Sequence, residues 1–235
     1  MQEFGAAFSE AFRLVATLDP DLREIVALSL QVSLAAVGLA ALVGMPVGAV
    51  LAVMRFPGRG ALVVAVNALM GLPPVVVGLL VYLLLSRAGP LGELGLLYTP
   101  TAMVIAQAIL VTPIIAALAR QTIEDMKDEY LDQLRVFGIT PVGMVRTLLW
   151  DARYSLLTAL LAGFGRAIAE VGAVIIVGGN INHVTRVMTT TIALETSKGD
   201  LALALGLGLV LVTIAVAANA AVMALRSSAR RLAYA

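Results

Sequence analysis

Between Ile25 and Met54 the chain carries no charged side chain. A helix needs about 20 apolar residues to cross the hydrocarbon core of a bilayer. A run this long reads as a membrane span with room to tilt. Four more candidates follow: 61–86, 101–118, 156–177 and 201–225. Only Arg166 and Glu170 interrupt the fourth, and the others are uncharged. No stretch shows the ten-residue alternation of a barrel strand. Hydrophobic residues make up 60% of the 235, and charged ones 13%, about half the usual share of roughly 25%. The expected fold class is all-α: a single polytopic membrane domain, 1–235, of about five transmembrane helices.

Composition also excludes several function classes. There is no cysteine and a single histidine, His183, so no disulfide framework and no metal centre is expected. A net charge of +1 argues against a nucleic-acid binder. A phosphate-binding loop needs Gly-Lys-Ser/Thr. The two lysines, Lys127 and Lys198, stand in no such context, and neither Gly-x-Ser-x-Gly nor His-Glu-x-x-His occurs. The chain is expected to hydrolyse nothing. Any transport energy then comes from another subunit or from an ion gradient.

Lysine and arginine set the expected orientation. Ten lie in the segments 55–60 and 119–155 and the tail after Leu225, and five in the N-terminal segment and the loops 87–100 and 178–200. This places the N-terminus outside and the C-terminus in the cytoplasm. The first span is too long for a cleaved signal peptide. In the outer segment 1–24, Phe4, Ala7, Phe8, Ala11, Phe12 and Val15 recur at helical spacing. Either an interfacial helix or a short helix packed on its own bundle would show this pattern. His183, in an outer loop, reads as a surface residue.

The cytoplasmic loop 120–153 holds most of the polar information. Ile123, Met126, Tyr130, Leu134 and Phe137 form one helical stripe. Gly138 is expected to end that helix. Thr140-Pro141 starts another, with threonine as N-cap and proline at the first helical position. Val142, Met144, Val145 and Leu149 would leave the short helix in need of a partner surface, which a peripheral cytoplasmic protein would supply.

These segments together resemble the permease subunit of binding-protein-dependent ABC importers. Asp132-Gln133-Leu134 and Gly138 align with the family's Glu-Ala-Ala…Gly loop, with Asp for Glu and neither alanine kept. Trp150-Asp151 replaces the Leu-Pro that closes the motif. Gly71-Leu72-Pro73-Pro74-Val75-Val76-Val77-Gly78 is similar to the double-proline segment of molybdate, tungstate and sulfate permeases. Gly163-Phe164-Gly165-Arg166-Ala167-Ile168-Ala169-Glu170-Val171-Gly172-Ala173 is similar to a second family segment, and it continues into Gly179-Asn180-Ile181. Thr185-Arg186-Val187-Met188-Thr189-Thr190, then Ile192-Ala193-Leu194-Glu195-Thr196 and Gly199-Asp200, is similar to the tungstate branch.

The resemblance implies a type I ABC importer fold in a prokaryotic cell (inner) membrane. It implies a second copy of the chain, two cytoplasmic ATP-binding subunits and an external oxyanion-binding protein. No cofactor is implied in this chain; ATP and magnesium belong to the partner ATPase. Asp132, Gln133, Leu134, Gly138, Pro141, Val142 and Val145 would couple to the ATPase. Tungstate is the implied cargo, with molybdate or sulfate as alternatives. A secondary transporter or channel is the competing class, but it would want several intramembrane carboxylates, and only Glu170 is available.

Two residue groups keep two readings each. Pro73-Pro74 must kink a span, either for packing or to line the pathway; Thr112-Pro113 admits the same pair. Arg166 and Glu170, four apart, would share a helix face. They either hold the fold as an ion pair or act, with Gly172 beside them, in passage or gating of an oxyanion.

Overall fold

The computed structural model describes residues 8–233 apart from 10, 14 and 18. Among these the regular structure is helical, without a strand. The helices are α1 (Pro20–Val53), α2 (Arg59–Leu69), α3 (Pro74–Leu85), α4 (Pro100–Val136), α5 (Pro141–Asp151), α6 (Arg153–Ile168), α7 (Gly172–Gly178), α8 (Met188–Lys198) and α9 (Leu201–Ala233). A 3-10 turn occupies Gly92–Leu94.

By length and composition, α1, Pro100–Tyr130 of α4 and Leu201–Leu225 of α9 can each cross a membrane as one helix. The spans expected at 61–86 and 156–177 are instead broken pairs. The α2–α3 pair bends by 100° and the α6–α7 pair by 58°. Five spans result if each pair counts as one. The span expected at 101–118 runs on without a break to Val136, so the first part of the loop is the same helix as the span.

Local chemistry explains these limits. The Asp19 carboxylate accepts from the backbone N–H groups of Asp21 and Leu22 at 3.0 and 3.3 Å. It acts as an N-cap, with Pro20 as first helical residue, so α1 begins ahead of Ile25. The α2–α3 break follows from adjacent prolines. Each withholds a backbone donor, and each pushes the residue before it out of the α region. Pro73 is extended, with φ −65° and ψ 123°, and Pro74 opens α3. Pro46 and Pro113, standing singly, remain inside α1 and α4.

The chain divides into two compact units. The first comprises 1–35, 73–107 and 168–218. In it α3 lies hard against α7, where a Cβ at Gly78 would sit 2.8 Å from the Ala173 Cα. Val77, Val81, Met103, Val174, Val177 and Met188 are buried there. The segment 178–200, expected as a loop, contains α8, whose Thr189, Thr190, Thr191 and Glu195 are buried. Ala11 is fully buried and Phe12 is 63% exposed. Phe4 and Ala7 lie outside the described residues.

The second unit comprises 36–72, 108–167 and 219–235. Here α1 and α4 approach backbone to backbone. A Cβ at Gly44 would lie 2.9 Å from the Thr112 carbonyl oxygen, and one at Gly48 would overlap that of Ala116. This Gly-x-x-x-Gly pair, unremarked in the sequence, is the small-residue contact that membrane helices use for close packing. Ala52, Ala119, Ile123, Leu134, Met144 and Leu148 form part of a shared core. The loop hairpin is therefore anchored to the end of α1.

Candidate functional site

The first candidate element is the helix–glycine–helix hairpin of the second unit. Gly138, at φ +64°, closes α4 as expected. The Ile139 N–H donates to the Leu134 carbonyl at 3.2 Å, the six-to-one bond of a glycine-terminated helix. Thr140 caps α5 by accepting the Gly143 N–H at 3.2 Å, with Pro141 next.

The expected apolar stripes divide once packing is seen. Ile123 and Leu134 are in the core, whereas Phe137 is 77% exposed. The α5 face expected to await a partner is partly satisfied within the unit. Met144 is buried, and Val145 and Leu149 pack against the core. Val142 remains open, as do Val136 and Trp150. Of the sequence-derived coupling residues, Leu134 is thus a core anchor, while Gln133, Pro141 and Val142 face outward. The Asp132 side chain lies outside what the structure describes.

Charge ties this hairpin to its neighbours. Glu124 pairs with both Arg59 and Arg120. Arg59 Nε donates to the Leu51 carbonyl at 2.5 Å, and Lys127 Nζ to that of Ala52 at 3.0 Å. Both cations satisfy carbonyls at the C-terminal end of α1, where the helix dipole favours positive charge.

The second candidate element is the pair of breaks in the first unit. A Cβ at Gly172 would lie 3.0 Å from Val75 Cγ2, 3.5 Å from Glu170 Oε1 and 3.6 Å from Pro74 Cβ. The structure therefore brings the double-proline segment and the Glu170–Gly172 segment together. Glu170 is 3% exposed. Its Oε1 accepts the Ala173 N–H at 3.0 Å, and its carbonyl accepts the Thr189 hydroxyl at 2.7 Å. The expectation that Arg166 and Glu170 share a helix face is corrected. Arg166 is in the last turn of α6, which ends at Ile168, and Glu170 stands in the break that follows. The i, i+4 argument requires an unbroken helix.

Around this break lies a hydrogen-bonded polar set, most of it in the segments that resemble the tungstate branch, joined by Ser29, to which the sequence pointed in no way. Ser29 Oγ accepts the Met188 N–H at 2.8 Å. Thr185 Oγ1 donates to the Gly178 carbonyl at 2.5 Å and accepts the Ile181 N–H at 2.9 Å. Thr190 Oγ1 and Asn180 Oδ1 are 2.9 Å apart. Periodicity gave no signal for these residues. The signals available were the likeness of 179–181 and 185–190 to family segments and the density of threonine beside two apolar segments. On the same unit's surface, exposed His183 places Nδ1 2.8 Å from Glu24 Oε2. The hydrogen bond that the imidazole donates to Glu24, and then the Glu24 charge, hold the imidazole pKa above the ordinary value.

Long apolar helices and two interrupted spans are those of a multi-pass membrane protein. More narrowly, the chain belongs to the family described as the binding-protein-dependent transport system inner membrane component, whose profile matches residues 44–231. A probable anion ABC transporter permease protein of Haloferax volcanii is 41% identical over 182 residues, covering 75% of this chain and 78% of that one. The tungstate uptake system permease protein TupB of Peptoclostridium acidaminophilum is 39% identical over 200 residues, covering 85% and 88%. TupB of Campylobacter jejuni is 42% identical over 137 residues, covering 58% and 57%. The chain is accordingly a membrane-spanning ABC importer permease, a transport subunit rather than an enzyme. Family membership implies ATP-hydrolysing and substrate-binding partners.

Proposed function

We propose that this chain is the permease of an ATP-driven tungstate importer and works as a homodimer. Two cytoplasmic ATPase subunits bind ATP and magnesium and dock on the 120–153 hairpins, and an external binding protein delivers the oxyanion. The N-terminus is outside and the C-terminus cytoplasmic, as the lysine and arginine distribution favours. Closed two-fold assembly is the default for identical subunits. The observation that carries the cargo reading is the match to two permeases named for tungstate uptake, one of them over most of both chains.

Coupling falls to the hairpin. Val142, Gln133 and Pro141 contact the ATPase, Asp132 lies on the same helix end, and Leu134, Gly138 and Val145 hold the hairpin's shape. Pro73, Pro74, Glu170 and Gly172 form one pathway element, and Arg166 a second. Reconstituted with its ATPase and binding protein, the permease should take up tungstate in preference to molybdate and sulfate. Equal uptake of sulfate would overturn the cargo assignment. Gly138→Trp should leave the complex assembled while abolishing stimulation of ATPase by the loaded binding protein. Normal stimulation in that variant would refute the coupling role. Arg166→Lys keeps the charge and loses the planar fork, so transport should fall while thermal stability persists.

A further inference from the structure

The second unit carries a groove of about 450 Å³, lined in part by Leu149 of the hairpin. Leu42, Met45 and Pro46 of α1 form one wall, and Leu156 and Leu160 of α6 the other, with Arg153 at its end. Arg153 is the first residue of α6, where the α6–α7 span begins, so it stands at the interfacial end of a span. The stretch from Arg153 to Leu160 rises about 10 Å, roughly the upper half of an acyl chain. Leu42 is 74% exposed, so the groove opens sideways from α1.

Arg153 is held in place. Its Nη1 donates to the Trp150 carbonyl at 2.8 Å. Its guanidinium lies 4.8 Å from the Trp150 ring centre and 4.7 Å from that of Tyr154. Both rings are themselves exposed, Trp150 at 68% and Tyr154 at 45%. Among the described residues no carboxylate lies within ion-pair distance of Arg153. A preorganised guanidinium flanked by two amphipathic rings, at the mouth of an apolar groove, is complementary to one ligand class. That ligand has an anionic phosphate at one end and a hydrocarbon chain at the other. Tryptophan and tyrosine settle at headgroup level, and basic pockets beside spans take anionic headgroups.

We infer that this groove is a binding site for an anionic phospholipid, with the phosphate on Arg153 and one acyl chain between α1 and α6. The site serves the permease in either orientation and does not depend on which oxyanion is carried.

The test uses the full permease complex in vesicles of phosphatidylglycerol and phosphatidylcholine. Retained lipid is read by native mass spectrometry after extraction into detergent. The native protein should retain phosphatidylglycerol about fivefold over phosphatidylcholine, the preference one basic side chain supplies at an anionic surface. Arg153→Gln should abolish that preference. Leu160→Trp, which fills the groove, should lose both lipids from the site. Arg87→Gln, in the first unit and not among the groove's lining residues, should retain the native ratio. Should Arg153→Gln fail to assemble, Leu160→Trp and Arg153→Lys still decide the matter, since the lysine variant keeps charge and should keep part of the preference. An unchanged ratio in Arg153→Gln would overturn the site. The chain has no native cysteine, so Leu42→Cys reports cleanly on the competing occupant. Efficient disulfide cross-linking between copies through that residue would show that a second permease covers the groove and would likewise overturn the lipid assignment.

Discussion

The two units are held together by different chemistry. In the second, regular helices pack through absent side chains: Gly44 and Gly48 let α4 backbone atoms occupy the space a Cβ would need, and Gly163 leaves room for the side chains of Val111 and Ile115. Its interior is mostly alanine, leucine and isoleucine. In the first, short helices and breaks leave backbone groups without helical partners. Ser29, Thr185, Thr189 and the Glu170 carboxylate supply them. The difference follows from the solvent. Hydrocarbon tolerates irregular backbone only where protein or a wet cavity satisfies it, so hydroxyls and a carboxylate gather where the first unit's backbone leaves the helix.

Size-increasing changes should therefore damage the second unit most. Gly48→Leu drives a side chain into a backbone carbonyl that cannot step aside. The cost should be at least the about 1–3 kcal/mol of ordinary overpacking, with little monodisperse protein recovered on size exclusion. Gly38→Leu, on the same helix with nothing within 4 Å of its Cβ position, should purify normally. Equal loss in both would break the comparison.

Next in size come isosteric polar-to-apolar changes in the first unit. Thr185→Val removes the donor to Gly178 and the acceptor for the Ile181 N–H, and Ser29→Ala strands the Met188 N–H. Each should cost about 1–3 kcal/mol, visible as a lower midpoint in thermal unfolding. Thr112→Val in the second unit loses only a bond to its own helix, at Ala108, and should shift the midpoint far less. A third and smaller effect belongs to Gly138→Ala. Its neighbourhood is open, so only the left-handed backbone is strained, at about 1–2 kcal/mol.

The smallest effect should come from pH, through the exposed His183–Glu24 pair. Protonation of His183 is favoured in the folded chain by Glu24 and, more weakly, by Asp21, against Arg186. A raised folded pKa means that the contribution is fully present below about pH 6.5 and lost as pH rises through the folded value. Histidine titration by NMR should give a pKa above that of Glu24→Gln. Identical values would show that the pair carries no weight.

Much of this was legible in the sequence. Uncharged length located the spans, and Thr140-Pro141 and Gly138 marked the helix ends later found, because caps are local chemistry. Four features were not legible. Proline alone does not say whether a helix breaks, since Pro46 and Pro113 sit in helices that continue; adjacency at Pro73-Pro74 decides it. The Arg166–Glu170 spacing implied one face only if the helix survived to Glu170, and the chain leaves the helix at Ile168 instead. Hydropathy could not separate α8 from a loop, since its buried face is built largely of threonines. In the hairpin, periodicity grouped Leu134 with Phe137, but only tertiary packing shows which of them is covered.

The bonds from Lys127 to Ala52 and from Arg59 to Leu51 and Glu124 have a mechanical meaning. They fasten α4 beyond Ala119 to the end of α1 and to the start of α2, on both sides of the turn 54–58. These pieces form a truss, not a set of separate rods. A load placed on α5 enters α4 and the end of α1 together. Neither can deflect alone without first breaking a charge-assisted bond, so stiffness here is a property of the joints and not of any single helix.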